Sequence, residues 1–278
     1  MELIAALETA KELRSDIYIS SYNLKRAFDS VDRKLLLFAW IRLGIPLEVA
    51  LYLVSMDVDA MMAVQSPLAV VTHNKYGIAG LEHFNLCFHP QQGTAQGGVD
   101  SSLIFAAFLD ILVCAIDSTS SIESSFYMSD IDGTLQPSEP IAYVDDLICI
   151  QGTSSGLQRT ADIVSGFCSI FHLQLNIKKF RAFAIYWGNP REMTSSMLIH
   201  TSEWIPTVVP LQHNGIMEHL GVEWDMDITN ETMFAKTVDN LNKAINHILS
   251  SKAESNIKLS VLRVSLLDQL VYKTKFAP

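Results

Sequence analysis

The amino-acid sequence predicts an α+β fold, a largely antiparallel sheet with helices packed on one face. Three observations carry that expectation. Short apolar runs rich in β-branched residues alternate with longer stretches of helical periodicity. One run, residues 141–150, places Asp145 and Asp146 between apolar flanks and reads as a hairpin with two acids at its tip. Hydrophobic residues make up 49% of the 278, enough for a sizeable buried core rather than a disordered chain.

The elements come in order along the chain. Residues 2–14 read as an amphipathic helix and 17–22 as a strand. Residues 31–43 predict a helix closed by Gly44 and Pro46, and another is entered at Pro46 and runs over 47–57. Strand-like pieces lie at 69–72 and 84–88. A glycine-rich loop at 92–98 opens a long apolar helix over 101–117, capped by Asp100 or Ser101. Asp132-Gly133 marks a turn before the acid-tipped hairpin. Leu157, Ala161, Val164, Cys168 and Phe171 then share one helical stripe. Strands are expected near 182–187 and 219–224. The tail from 232 reads as two helices, one facing with Leu241, Ile245 and Ile248, the next with Leu259, Leu262, Leu266 and Leu270.

Charge and cysteine usage narrow the setting. No apolar run of about 18 residues is free of charge, so no membrane span is expected. The first residues carry acid where a signal peptide needs positive charge. Cys87, Cys114, Cys149 and Cys168 have no Cys-x-x-Cys spacing and sit in apolar surroundings. They read as buried free thiols of a reducing, intracellular compartment, cytoplasm or nucleus. The net charge is −10. From residue 231 onward seven basic residues stand against four acids, which leaves the preceding residues at −13. Surfaces that bind nucleic acid are normally basic, so only the tail suits a phosphate backbone. His83, His89, His172 and His219 lack zinc spacing.

Two adjacent carboxylates repel unless a positive group lies beside them, and oxygen ligands of this kind suit magnesium. A solvated turn is the competing reading, since Asp is a common turn residue.

The ordered set of motifs resembles the palm of a reverse transcriptase of the non-LTR retrotransposon or group II intron type. Asn23-Leu-Lys-Arg-Ala27-Phe28-Asp29 matches the A motif of that family, Asp-x-x-x-Ala-Phe-Asp. Gln92-Gly93-Thr94-Ala95-Gln96-Gly97 is similar to its B motif, with Gln92 in place of a basic residue and Ser102 in place of a proline. Tyr143-Val144-Asp145-Asp146 resembles the C motif, Leu175-Asn176-Ile177-Lys178-Lys179 the D motif, and Leu220-Gly221 the primer grip. Each motif alone is weak. Five in one order, across residues 17–224, are specific.

The resemblance implies a palm over 1–230 with truncated fingers, and the start of a helical thumb over 231–278. It implies RNA-templated DNA synthesis by two-metal nucleotidyl transfer, with Mg2+ as cofactor. The partners it implies are an RNA template, a DNA primer and deoxynucleoside triphosphates. By the same resemblance Asp145 binds metal, Asp146 supports the site, and residue 23 delivers the third ligand. Phe28, Gln96 and Gly97 would approach nucleotide and template, Lys179 the triphosphate, and Leu220 with Gly221 the primer. Phe28 reads equally as a core aromatic, Lys179 as an exposed lysine and Gly221 as an ordinary turn.

Residue 23 departs from the pattern, being Asn rather than Asp. Ala27-Phe28-Asp29 fixes the register, so Asp29 and Asp32 fall beyond the strand, where they cap the next helix. A missing unit charge about 4 Å from a cation is worth about 4 kcal/mol at an effective dielectric near 20. The expectation is therefore an impaired polymerase. The alternatives are a non-catalytic palm that binds nucleic acid or protein, and an unrelated metal-dependent phosphotransferase.

Overall fold

The computed structural model describes residues 2–59, 62–66, 69–71, 87–88, 92–93, 101–119, 123–129, 133–187, 196–200, 205–219, 222–226, 231–251 and 253–261. The chain opens with helix α1 (Glu2–Leu13), which buries Leu3, Ala6, Leu7 and Ala10 on one stripe. It stops at Arg14, whose φ of 50° is left-handed. Strand β1 (Ile17–Asn23) comes next. The helix expected over 31–43 is found over 33–42, as a 3-10 turn (Arg33–Leu35) running into α3 (Leu36–Arg42), and a short helix α2 (Ala27–Ser30) precedes it. Asp32 caps this helix, as the sequence suggests: its side chain accepts the backbone N–H of Lys34 at the first turn. Gly44 reverses the chain at φ 81°, and α4 (Leu47–Asp59) begins after Pro46 as expected.

Strands β2 (Met62–Ser66), β3 (Ala69–Val71) and β4 (Cys87–Phe88) pair as a small sheet in the order β3-β2-β4. Helix α5 (Ser101–Thr119) precedes the hairpin β5 (Tyr127–Ser129)–β6 (Leu135–Pro137), with Gly133 at φ 82° inside its connection. Beyond it lie β7 (Ile141–Tyr143), β8 (Asp146–Gln151) and α6 (Ser154–Ile170), whose first turn is capped by the Thr153 hydroxyl accepting from the Gly156 N–H. The chain continues through β9 (Arg181–Ile185), β10 (Ser196–His200) and β11 (Pro206–Pro210). The last described elements are β12 (Ile216–His219), β13 (Val222–Asp225), α7 (Glu231–Ser250) and α8 (Ser255–Val261). The single strand expected near 219–224 is thus part of a hairpin, Ile216 facing Asp225 and His219 facing Val222.

The central sheet runs β7-β8-β1-β9, with every neighbouring pair antiparallel. Its strands are apolar on both parities. Tyr22, Leu147, Cys149, Ala182 and Ala184 face a core completed by Ile104, Phe105, Phe108, Leu157, Val164 and Phe167 from α5 and α6. Ile17, Ile19, Ile148, Ile150, Phe183 and Ile185 face a second core that takes Leu3, Ala6 and Leu7 from α1. The expectation of helices on one face is thereby corrected. A sheet this apolar on both sides needs cover on both, and α1 supplies part of it.

Helix α5 is long and apolar enough to cross a membrane by length and composition. In this fold it is a core helix: eight of its residues are buried, and Asp110 pairs with Arg42 of α3. Cys149 and Cys168 are buried, and burial pushes the Cys168 thiol up to about 12. Cys114 departs from its expectation. It is exposed on the outer side of α5, where its sulfur accepts a hydrogen bond from Arg42.

Candidate active site

Three segments far apart in sequence meet at one end of the central sheet. Asn23 is the last residue of β1 and lies opposite Asp146, the first residue of β8. One residue on, the Leu24 N–H donates to the Asp145 carbonyl at 3.2 Å. Lys25 N–H then donates to the Gln174 carbonyl at 2.7 Å, and Leu24 bridges Leu175. The strand that carries residue 23 is therefore pinned between the acid-tipped hairpin and the 173–179 segment.

Val144 and Asp145 form the two-residue tip between Tyr143 and Asp146, which pair as the last rung of β7 and β8. Val144 has φ 55°, and among the described residues only four non-glycines have positive φ. Positive φ at the first tip residue alone is the signature of a type II′ turn, which ordinarily takes glycine there. A β-branched residue in that conformation stores about 1–3 kcal/mol of strain. The surrounding ladder holds it, and it fixes the direction of Asp145.

The side chains converge with the backbone. The Asn23 amide donates from Nδ2 to Asp146 Oδ1 at 2.5 Å and to Asp145 Oδ2 at 3.4 Å. Its Oδ1 accepts from Asn176 Nδ2 at 3.3 Å, while the Asn176 N–H donates to the Asn23 carbonyl at 2.8 Å. The orientation of this amide comes from chemistry. Ionised carboxylates only accept, so the nitrogen must face them and the oxygen must face the donor on Asn176. All four side chains are half-buried. Burial raises the Asp145 pKa above the ordinary carboxylate range, and the neighbouring charge of Asp146 raises it further. A backbone hydrogen bond, the charge of Lys179 and the Asn23 amide oppose the shift.

The other candidates divide. Lys179 is exposed and closes the Asn176 turn, with its N–H on the Asn176 carbonyl at 2.9 Å, close enough for its charge to act on Asp145. Phe28 is half-buried and packs on Phe105 of α5 with ring centroids 4.9 Å apart, so it contributes to the core. Gln96, Gly97, Leu220 and Gly221 lie outside the described residues.

Sequence reasoning misses two residues that organise this end of the fold. Asn176 anchors both the side chain and the carbonyl of Asn23. Its signal lies in the Leu-Asn-x-x-Lys stretch, which by itself gives that amide no role. Arg33 is the second, a buried arginine at 4% exposure. Its Nε donates to the Gly93 carbonyl at 2.8 Å, and a terminal nitrogen donates to the Asp57 carbonyl. Gly93 itself sits at φ 88° with its N–H on the Val31 carbonyl at 2.7 Å. A Cβ there would fall 2.8 Å from the Phe28 carbonyl oxygen. The start of the glycine loop and the Ala27-Phe28-Asp29 turn are thus locked together. No sequence pattern distinguishes Arg33 from an ordinary surface charge.

A pair of magnesium ions does not fit the donor set as arranged. It offers two carboxylates and a carboxamide whose hydrogens face those carboxylates and whose oxygen is engaged by Asn176. Among the described residues no three His, Cys, Asp or Glu side chains group as a metal site.

The motif order and a curated relative liken this chain to a reverse transcriptase. Over 270 residues the chain is 22% identical to the retrovirus-related Pol polyprotein from type-1 retrotransposable element R2 of Popillia japonica, covering 96% of this chain and 34% of that protein. It therefore spans about a third of the length of this curated relative. No protein-family model matches. Among solved structures it is similar to telomerase from Candida tropicalis in complex with a TWJ fragment of telomeric RNA, at TM-score 0.47 and 12% identity. That superposition covers 98% of this chain and 41% of the telomerase. Apo telomerase from the same organism, truncated from its C-terminal domain, gives TM-score 0.44 at 15% identity over 75% of this chain and 38% of the other.

Proposed function

We propose that this chain is a palm derived from an RNA-directed DNA polymerase, with residues 231–278 beginning a thumb, and that its nucleotidyl transfer is strongly reduced at residue 23. One observation carries the reading: the three positions that would share a metal site do share one end of the sheet, but one of them is neutral and donates to the other two. Two-metal phosphoryl transfer in general relies on carboxylates to hold both cations and balance their charge. This site supplies two. A lost unit charge about 4 Å from a divalent ion is worth about 8 kcal/mol at an effective dielectric near 20, and each ~1.4 kcal/mol is a decade in rate. Even after solvent screening at a half-buried site, several decades are at stake.

Nucleic acid remains the partner that best suits the domain. The R2 relative is a retrotransposon Pol polyprotein, and the basic tail from residue 231 offers its surplus positive charge to a phosphate backbone. The test is primer extension on an RNA template with deoxynucleoside triphosphates and magnesium. The native chain is expected to give no extension, and Asn23→Asp a measurable gain over it. Robust extension by the native chain overturns the proposal.

A further inference from the structure

We infer that Asn23 serves as a built-in substitute for a cation, so that the acid pair of this chain is satisfied without divalent metal and does not recruit it. The inference deepens the reading of the site given above and rests on it for the choice of magnesium as probe.

Two neighbouring carboxylates need compensation. Asp145 and Asp146 are adjacent in sequence and half-buried, and ionising both is costly unless positive charge or donated hydrogen bonds offset the repulsion. Where an aspartate occupies the position of residue 23, three acids would converge, and a cation or a bound proton would be needed to hold them together. Here the same position delivers a donor. One amide nitrogen reaches an oxygen of each acid, at 2.5 and 3.4 Å. Hydrogen bonds to charged groups are about twice as strong as neutral ones.

Turning the amide over is costly. For its oxygen to face a cation between the acids, Asn23 would have to flip. It would then give up both carboxylates and set its nitrogen against Asn176 Nδ2, donor against donor. The Asn176 main chain is placed by its own N–H on the Asn23 carbonyl and by the turn in which Lys179 N–H returns to the Asn176 carbonyl. Bound magnesium demands near-octahedral oxygen ligands and gives up its water reluctantly. Two carboxylates and a reversed amide compete poorly for it.

Thermal melting of the full chain tests this directly. The native midpoint should be the same in EDTA and in millimolar magnesium chloride at matched ionic strength. Asn23→Asp should melt at least about 3 °C lower in EDTA and recover in magnesium or manganese. Adding Asp146→Asn to that variant should abolish the recovery. Should Asn23→Asp not fold, manganese titration of the native chain by electron paramagnetic resonance still decides the matter: the free-ion signal should persist to millimolar metal. A native midpoint that rises with magnesium beyond the ionic-strength control overturns the inference. So does sub-millimolar manganese binding that Asp145→Asn removes, or an Asn23→Asp variant indifferent to metal. Metal-dependent melting without primer extension defeats this inference alone, and extension by the native chain defeats the reading of impaired transfer.

Discussion

Gly93→Ala tests the junction that joins the glycine loop to the Phe28 turn. Gly93 has φ 88°, a region where an L side chain costs about 1–2 kcal/mol. The added methyl would also lie 2.8 Å from the Phe28 carbonyl oxygen and 2.9 Å from Asp29 Cα. Both are backbone atoms, so relief requires the main chain to shift, at a further ~1–3 kcal/mol. Alanine restricts the unfolded chain and returns about 0.4–1 kcal/mol. The net expectation is a loss of about 2–4 kcal/mol, or roughly 3–7 °C in melting midpoint for a chain of 278 residues. Gly44→Ala is the control: its φ is 81°, but no atom lies within 4 Å of the added carbon, so it should lose only about 1 kcal/mol. Urea unfolding monitored by tryptophan fluorescence measures both, with the slope unchanged between variants. Equal losses in the two variants, or a Gly93→Ala chain within about 0.5 kcal/mol of native, would show that loop and turn are not packed as described.

Val144→Gly should leave stability unchanged or raise it, because relief of about 1–3 kcal/mol of left-handed strain offsets the lost half-buried side chain. A loss above about 2 kcal/mol in urea unfolding would rule that strain out. Phe108→Ala should cost about 3–5 kcal/mol, since this fully buried ring packs on Phe105, Phe167 and Phe171. A smaller loss would mean that the core between α5 and α6 is loose. The raised pKa of Asp145 makes the folded chain bind more protons than the unfolded chain between the ordinary carboxylate pKa and the raised one. Its contribution to stability is therefore greatest below the unfolded pKa and is lost as pH rises through the folded one. Asp145→Asn should flatten that part of the melting profile and raise the midpoint at neutral pH; an unchanged profile would show that burial and Asp146 do not strain the group.

Much of the architecture is legible in the sequence because local pattern and burial agree. The stripe from Leu157 to Phe171 forms α6, and the apolar flanks of Asp145 and Asp146 form β7 and β8. Residue 23 falls at a strand end, as expected, because Ala27-Phe28-Asp29 sets its spacing. Where tertiary contacts decide, the sequence is silent. A continuous apolar strand does not say which face a helix will cover, so α1 on the second face is invisible beforehand. The cap at Asp32 is legible, but the short helix α2 just before it is not. Arg33 looks solvated until Gly93 and Asp57 present their carbonyls to it, and Cys114 looks buried until α5 turns it outward beside Arg42. The amide of Asn23 illustrates the limit most clearly. Sequence identifies a missing charge at position 23, but only the fold, through Asn176, reveals that the replacement donates to both acids.

A double-mutant cycle between Asn23→Ala and Asp146→Ala measures that contact without reference to metal or catalysis. A charge-assisted hydrogen bond at a half-buried site predicts a coupling of about 1 kcal/mol or more in urea unfolding. Two losses that add to within about 0.3 kcal/mol would mean that the amide and the carboxylate do not touch, and the site would dissolve into a solvated turn.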